Sequence, residues 1–178
     1  MATYIGFLRA INLGANRKFP KASIVNAVEA AGFTDVATYI NTGNVRFDTT
    51  LRSRTKIEAA LEEAFEAEAG FAVPTIVFTQ KELREIADHA TSLSQSLGLD
   101  GRHYVSLLKE APTEAAIRTV EELTTADEVA KVGGRAVHLL LRANYHEAKL
   151  TNVVVEKHLG VATNRNLTVI RALVEKWC

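Results

Sequence analysis

One tight turn constrains this chain more than any other feature. Residues 36–40 (Val-Ala-Thr-Tyr-Ile) and 45–47 (Val-Arg-Phe) flank Asn41-Thr42-Gly43-Asn44. Asparagine and glycine supply the positive φ that a short hairpin needs, and the flanking runs are strand-like. Helical patterns lie on both sides of this hairpin. Before it, residues 4–10 read as a strand. Ile24, Val25, Val28 and Ala31 then recur at helical spacing behind Pro20, and Gly32 closes the helix. After it, Ser53 can cap a helix with the apolar stripe Ile57, Ala60, Leu61, Ala64 and Phe65, and Gly70 ends it. Residues 73–78 form a strand with Pro74 near its start. Thr79 and Glu82 make a capping box for a short helix carrying Leu83, Ile86 and Ala87. The order is β-α-β-β-α-β, the split βαβ or ferredoxin-like arrangement.

Right-handed crossovers decide which loops of such a unit share an end of the sheet. They place the polar loop at 12–18 beside the hairpin at 41–44, although no local motif says so. In the first strand Ile5 and Phe7 alternate with Tyr4 and Leu8. A strand apolar on both faces is covered on both faces. This counts against an RNA-recognition sheet, which needs exposed aromatics.

Residues 91–101 are rich in Ser and Gly without helical periodicity. They read as a linker between a first subdomain at 1–90 and a second at 102–178. The second opens with a strand at 102–109. A helix follows from Pro112 and Thr113, carrying Ile117, Val120 and Leu123. A hairpin joins 128–132 to 135–142 through Gly133-Gly134. No helix follows these glycines, so they are a turn and not a phosphate loop. A helix at 147–159 ends at Gly160, and a last helix carries Val169, Ile170, Leu173, Val174 and Trp177. The second half is therefore a βαββα unit plus a C-terminal helix, and the whole is an α+β fold of two subdomains. Tyr4-Ile5-Gly6-Phe7-Leu8-Arg9 and Tyr104-Val105-Ser106-Leu107-Leu108-Lys109 are alike in pattern, which suggests a duplicated unit. Different strand orders in the two halves would exclude it.

Composition removes several function classes. Lys plus Arg and Asp plus Glu are each 21, so the formal net charge is zero. That disfavours a globally basic nucleic-acid binder but leaves room for a local patch. Hydrophobic residues at 47% with no net charge exclude a disordered chain. No apolar run reaches the length of a membrane span. The first residues lack the pattern of a signal peptide. The single cysteine, Cys178, cannot form an internal bridge. A cytoplasmic protein is expected, with Cys178 chemically inert. The histidines at 89, 103, 138, 146 and 158 are scattered and no Cys pair exists, so neither a metal nor another cofactor is expected. The sequence fixes no oligomeric state.

Two polar clusters are candidates for binding. The first 28 residues hold Arg9, Arg17, Lys18 and Lys21 and no acid, whereas residues 58–68 hold five Glu and no base. The acidic run is the solvated face of an amphipathic helix. The basic stretch enters a helix N-terminus, a place hospitable to anions. Arg9, Asn12, Asn16, Arg17 and Lys18, beside Thr42 and Asn44, form the first cluster. Thr163, Arg165, Asn166 and Thr168 form the second, between two helices. Asn166 or Thr168 can cap the last helix. Arg165 brings positive charge to a helix start, which an anion or a nearby Glu would offset. His138 lies on a strand whose Val137, Leu139 and Leu141 face the other way. It is either a buried structural histidine or a general base.

Arg9-Ala10-Ile11-Asn12-Leu13-Gly14, Thr42-Gly43-Asn44-Val45 and Thr163-Asn164-Arg165-Asn166-Leu167-Thr168 resemble three signatures of one bacterial family, the domain-of-unknown-function 1697 family. The resemblance spans nearly the whole chain. It implies an α+β fold of two subdomains and no known activity. The function expected from the residues is binding, with or without turnover, of a small anionic metabolite or nucleotide. Arg9, Arg17, Lys18 and Arg165 would neutralise it, and Asn12, Thr42 and Asn44 would orient it. The alternatives are a nucleic-acid-binding module and a protein-interaction module without catalysis.

Overall fold

The computed structural model describes residues 1–97 and 102–178. The chain divides into two units, Met1–Lys81 and Glu82–Lys176. The first contains β1 (Ala2–Leu8), α1 (Lys21–Ala30), β2 (Thr34–Tyr39), β3 (Asn44–Thr49), α2 (Arg54–Ala69) and β4 (Thr75–Thr79). Its antiparallel sheet has the strand order β2-β3-β1-β4. β1 is central, pairing Tyr4 with Phe47 on one side and with Thr79 on the other. α1 contributes Ile24, Ala27 and Val28, and α2 contributes Ile57, Leu61 and Phe65. These form one buried cluster with Tyr4, Leu8, Val45, Phe47 and Val77 of the sheet. Burying each large side chain is worth roughly 1.5–3 kcal/mol. Phe33 stacks on Phe47, and Phe19 meets Phe65 edge to face. Ile5, Phe7, Ile76 and Phe78 on the opposite face are also buried. The sheet therefore offers no exposed aromatic row for bases.

α3 (Gln80–Leu97) follows β4 without a loop, and then come β5 (Arg102–Leu108), α4 (Glu114–Glu121), β6 (Glu128–Gly133), β7 (Ala136–Leu141), α5 (Asn152–Leu159), β8 (Ala162–Asn166) and α6 (Leu167–Trp177). The second sheet has the order β6-β7-β5-β8, with β5 in the place of β1. The two halves thus share one strand order, as a duplicated unit requires. Local hydrogen bonds repeat as well. Leu8 N donates to Gly43 O and Arg9 N to Pro74 O, while Leu108 N donates to Arg135 O and Lys109 N to Val161 O. Glu62 of α2 accepts from Thr75 N at the start of β4, and Glu156 of α5 accepts from Ala162 N at the start of β8.

Two expectations need correction. The expected linker at 91–101 is helix as far as Leu97, and 98–101 lie outside the described residues. The polar side chains there bond to their own helix: Thr91 Oγ1 to Ala87 O, Ser92 Oγ to Asp88 O and Ser94 Oγ to Ala90 O. These bonds satisfy the hydroxyls within the helix, and Ala90, Leu93 and Leu97 continue the helical spacing of Leu83 and Ile86. The second correction is β8. The expected βαββα unit is closed by a strand whose sequence, Ala-Thr-Asn-Arg-Asn, carries little strand propensity. Pairing with the buried β5, from Leu108↔Ala162 to Tyr104↔Asn166, overrides that propensity.

The hairpin glycine is a point of strain control. Gly43 has φ +81°, and a Cβ there would lie 2.7 Å from Leu8 Cβ and 2.9 Å from Ile11 Cδ1. Gly43→Ala is expected to cost about 2–4 kcal/mol, combining left-handed backbone strain with overpacking. The denaturant midpoint measures it; an unchanged midpoint would contradict the close approach.

Candidate functional site

The loop after β1 is built by two side chains that replace backbone partners. Ala10, Asn12 and Arg17 have φ of 57°, 53° and 54°. Left-handed backbone costs a non-glycine residue about 1–3 kcal/mol unless the surroundings hold it. Asn12 holds it on both sides. Its Oδ1 accepts from Phe19 N, and its Nδ2 donates to Phe19 O at 3.1 Å and to Asn41 O at 2.7 Å. The last bond joins the loop to the hairpin, so the two lie side by side as the crossover rule requires. Arg17 closes the far side. Its Nε donates to Ala10 O and its Nη2 to Ala72 O, and its guanidinium lies 4.4 Å from the Phe71 ring centroid.

A cleft of about 620 Å³ opens beside this loop, lined by Asn12, Gly14, Lys18, Pro20, Lys21, Ala22 and Asn41. It takes in the start of α1. The N-cap there is Pro20, which makes no side-chain cap bond, and the first turn holds no acidic residue. The leading N–H groups of a helix have no intrahelical acceptor. Lys18 and Lys21 add two cationic side chains, and no lining residue is acidic.

Of the expected first cluster, Asn12 and Lys18 line the cleft. Arg17 is turned to backbone carbonyls, and Arg9 stands just past the end of β1. Thr42 and Asn44 stay within the hairpin: buried Asn44 donates to Tyr39 O and to Thr42 Oγ1. Lys21 and Asn41 line the cleft without having been singled out as ligand residues. Lys21 was visible as part of the acid-free basic stretch. Nothing local marks Asn41, whose role depends on the contact with Asn12.

The second cluster lies on β8 and at the start of α6, so its placement between two helices needs correcting: a strand intervenes. Thr163 and Arg165 are buried on one face of β8. Arg165 Nη1 donates to Thr163 Oγ1 at 2.9 Å and to Asn164 O at 2.8 Å. Burial holds its guanidinium at about 10, below the usual arginine range. Asn166 is the N-cap of α6, accepting from Thr168 N at 2.8 Å. Arg165 and Asn166 therefore point to different surroundings.

Histidines that are far apart in sequence meet in the second unit. His138 on β7 is fully buried, and its Nδ1 lies 3.0 Å from Nε2 of His103 on β5. His103 Nδ1 lies 3.4 Å from Ser94 Oγ on α3. The His89 ring stands edge to face with His138 at 4.7 Å. Proton bookkeeping sets the tautomers. Ser94 gives its one hydroxyl proton to Ala90 O, so toward His103 it only accepts. His103 Nδ1 therefore carries the proton and Nε2 accepts from His138 Nδ1–H. His138 Nε2 is left as a bare lone pair, buried and without a partner. Among the described residues no three His, Cys, Asp or Glu side chains are placed to hold a metal ion. His138 is thus a buried structural group, with no route to act as a base on a bound substrate.

Burial, with the neighbouring Arg171 and His89, holds His103 down at about 4. Burial, with His103 and His89, holds His138 down at about 3. Both rings are neutral in either state above pH 6.5. Below that the unfolded chain takes up protons and the folded chain does not, so stability falls as pH drops toward 4. Each histidine contributes about a tenfold loss in the folding constant per pH unit between about pH 6 and 5. Urea denaturation at pH 7, 6 and 5 measures the slope. His138→Leu should reduce it by about tenfold per unit; an unchanged slope would show that these rings charge within the fold.

The chain has known relatives at the level of fold. A solved structure described as a conserved bacterial protein, SP0830 from Streptococcus pneumoniae, superposes with a TM-score of 0.77 at 22% identity. The match covers 98% of this chain and 97% of that one. None of the curated proteins matches. The family model described as a protein of unknown function, DUF1697, matches residues 1–138, through both the first unit and the hairpin of the second. The chain belongs to the DUF1697 family.

Proposed function

We propose that the protein binds a small anionic metabolite or nucleotide through its phosphate or carboxylate group, in the cleft beside the β1–α1 loop. The observation that carries this reading is the start of α1. It is a ten-residue helix with no side-chain cap and no acid in its first turn, and Lys18 and Lys21 flank it on the cleft wall. A helix start with orphan N–H groups attracts negative charge, and two lysines strengthen the attraction. Asn12 and Asn41 edge the same cleft and supply amide groups for orientation. The strained loop favours the reading too, since left-handed non-glycine residues cluster where a backbone is held for a ligand. The lone cysteine suits a reducing cytoplasm, which is where we place the protein.

Thermal unfolding against a panel of inorganic phosphate, nucleotides, phosphomonoesters and carboxylates tests it. A ligand at about 100 times its Kd should add about 2.7 kcal/mol of stability. Lys18→Gln with Lys21→Gln should remove most of that gain. No shift across the panel, or a shift undiminished in the double variant, would overturn the assignment of this cleft.

A further inference from the structure

The second unit holds another cleft, independent of the first and of the function proposed for it. Its volume is about 290 Å³, and its walls include Ser94, Arg102, His103, Asn166, Thr168 and Arg171. Arg102 Nη1 donates to Arg142 O at 3.5 Å, and Arg171 Nη2 donates to Thr91 Oγ1 at 3.4 Å. These long single bonds leave most of the five N–H donors of each guanidinium uncommitted. Neither arginine meets a carboxylate among the described residues. The remaining groups have the same polarity. Asn166 Oδ1 is taken by Thr168 N, which leaves the amide N–H₂ to donate. Ser94 Oγ is committed at both ends, to Ala90 O and to the His103 N–H.

His103 completes the wall. The ring is 8% exposed, with Nδ1 on the cleft side beside Ser94. The ring is held on both sides, by Ser94 at Nδ1 and by His138 at Nε2. Two guanidinia and an amide N–H₂ line one cleft, and none of the residues that line it is acidic.

We propose that this cleft is an oxyanion site for a phosphoryl group, with Arg102 and Arg171 as counter-charges, the Asn166 amide as a neutral donor and the His103 ring, held between Ser94 and His138, as part of its wall. A cleft of this size accommodates a phosphate-sized group. Free phosphate and a terminal phosphomonoester share the chemistry.

The test is an NMR titration of the full chain, with labelled histidine, at pH 7. Inorganic phosphate and methyl phosphate are the two probes. The His103 imidazole signals should move and saturate, while His138, in the core, reports that the fold is kept. Arg102→Gln and Arg171→Gln should each weaken binding about ten- to a hundredfold, the worth of a hydrogen bond to a charged group. Tighter methyl phosphate would assign the cleft to a phosphomonoester terminus, and tighter phosphate to the free anion. Lys18→Gln with Lys21→Gln should leave the His103 response unchanged, which separates this site from the first cleft. His103 signals that do not move at about 50 mM of either probe would overturn the proposal. So would an undiminished response in the Arg102→Gln, Arg171→Gln double variant, whose exposed positions do not threaten folding.

Discussion

Burial of the central strand on both faces is the constraint from which most of this structure follows. β1 lies between β3 and β4, and β5 between β7 and β8. Tyr4, Ile5, Phe7 and Leu8 are all buried, as are Val105, Leu107 and Leu108. A strand in that position cannot end in solvent without exposing a wide apolar surface, so helices must cover it. The strand pairing also sets where loops emerge. Because β1 pairs antiparallel with both neighbours, the loop after it, the β2–β3 hairpin and the approach to β4 gather at one end. The bonds from Leu8 N to Gly43 O and from Arg9 N to Pro74 O hold that gathering, and β5 repeats it with Arg135 and Val161.

Polar groups divide into those that close the fold and those that leave chemistry over. Arg165, Arg17, Asn12 and Asn44 belong to the first kind. Each spends donors on backbone carbonyls or on a neighbouring hydroxyl, which is how a buried polar group avoids its desolvation cost. Arg135 does the same, donating to Leu108 O and Lys109 O while Glu82 meets its other nitrogen. The groups with capacity left are the more exposed ones: Lys18, Lys21, Arg102 and Arg171. A charge is available to a ligand only where the fold has not already used it. By that criterion the cations with capacity left are Lys18 and Lys21 around the start of α1, Arg102 at the start of β5 and Arg171 on α6, not the signature Arg165.

Much of the architecture was legible because it depends on short-range patterns. The hairpin at Asn41-Thr42-Gly43-Asn44, the helix stripe of α2 and the Gly133-Gly134 turn each follow from residues close in sequence. The adjacency of the 12–18 loop and the hairpin was legible for a different reason, since chain handedness leaves few alternatives. The two misses have different causes. In α3 the Ser- and Thr-rich composition resembles a linker, while Ala90, Leu93 and Leu97 keep the helical spacing. β8 is a strand because β5 has an open edge, not because Ala-Thr-Asn-Arg-Asn favours strand.

The sequence alone determined the α+β class, the two-subdomain organisation and the repeat hinted at by two similar opening strands. It also determined that a basic, acid-free stretch meets the start of α1. Periodicity, capping and turn chemistry are local, and local physics can be read from neighbours in the chain. Only the tertiary structure decided which cations remain free. Arg17 and Arg165 look the same in sequence as Lys21 and Arg171, but Ala10 O and Ala72 O take up Arg17, while buried Arg165 donates to Thr163 Oγ1 and Asn164 O beside it. Only the fold could bring Ser94, His103 and His138 into one hydrogen-bonded line. The tautomer of each ring there depends on a proton given to Ala90, a partner that no spacing rule identifies.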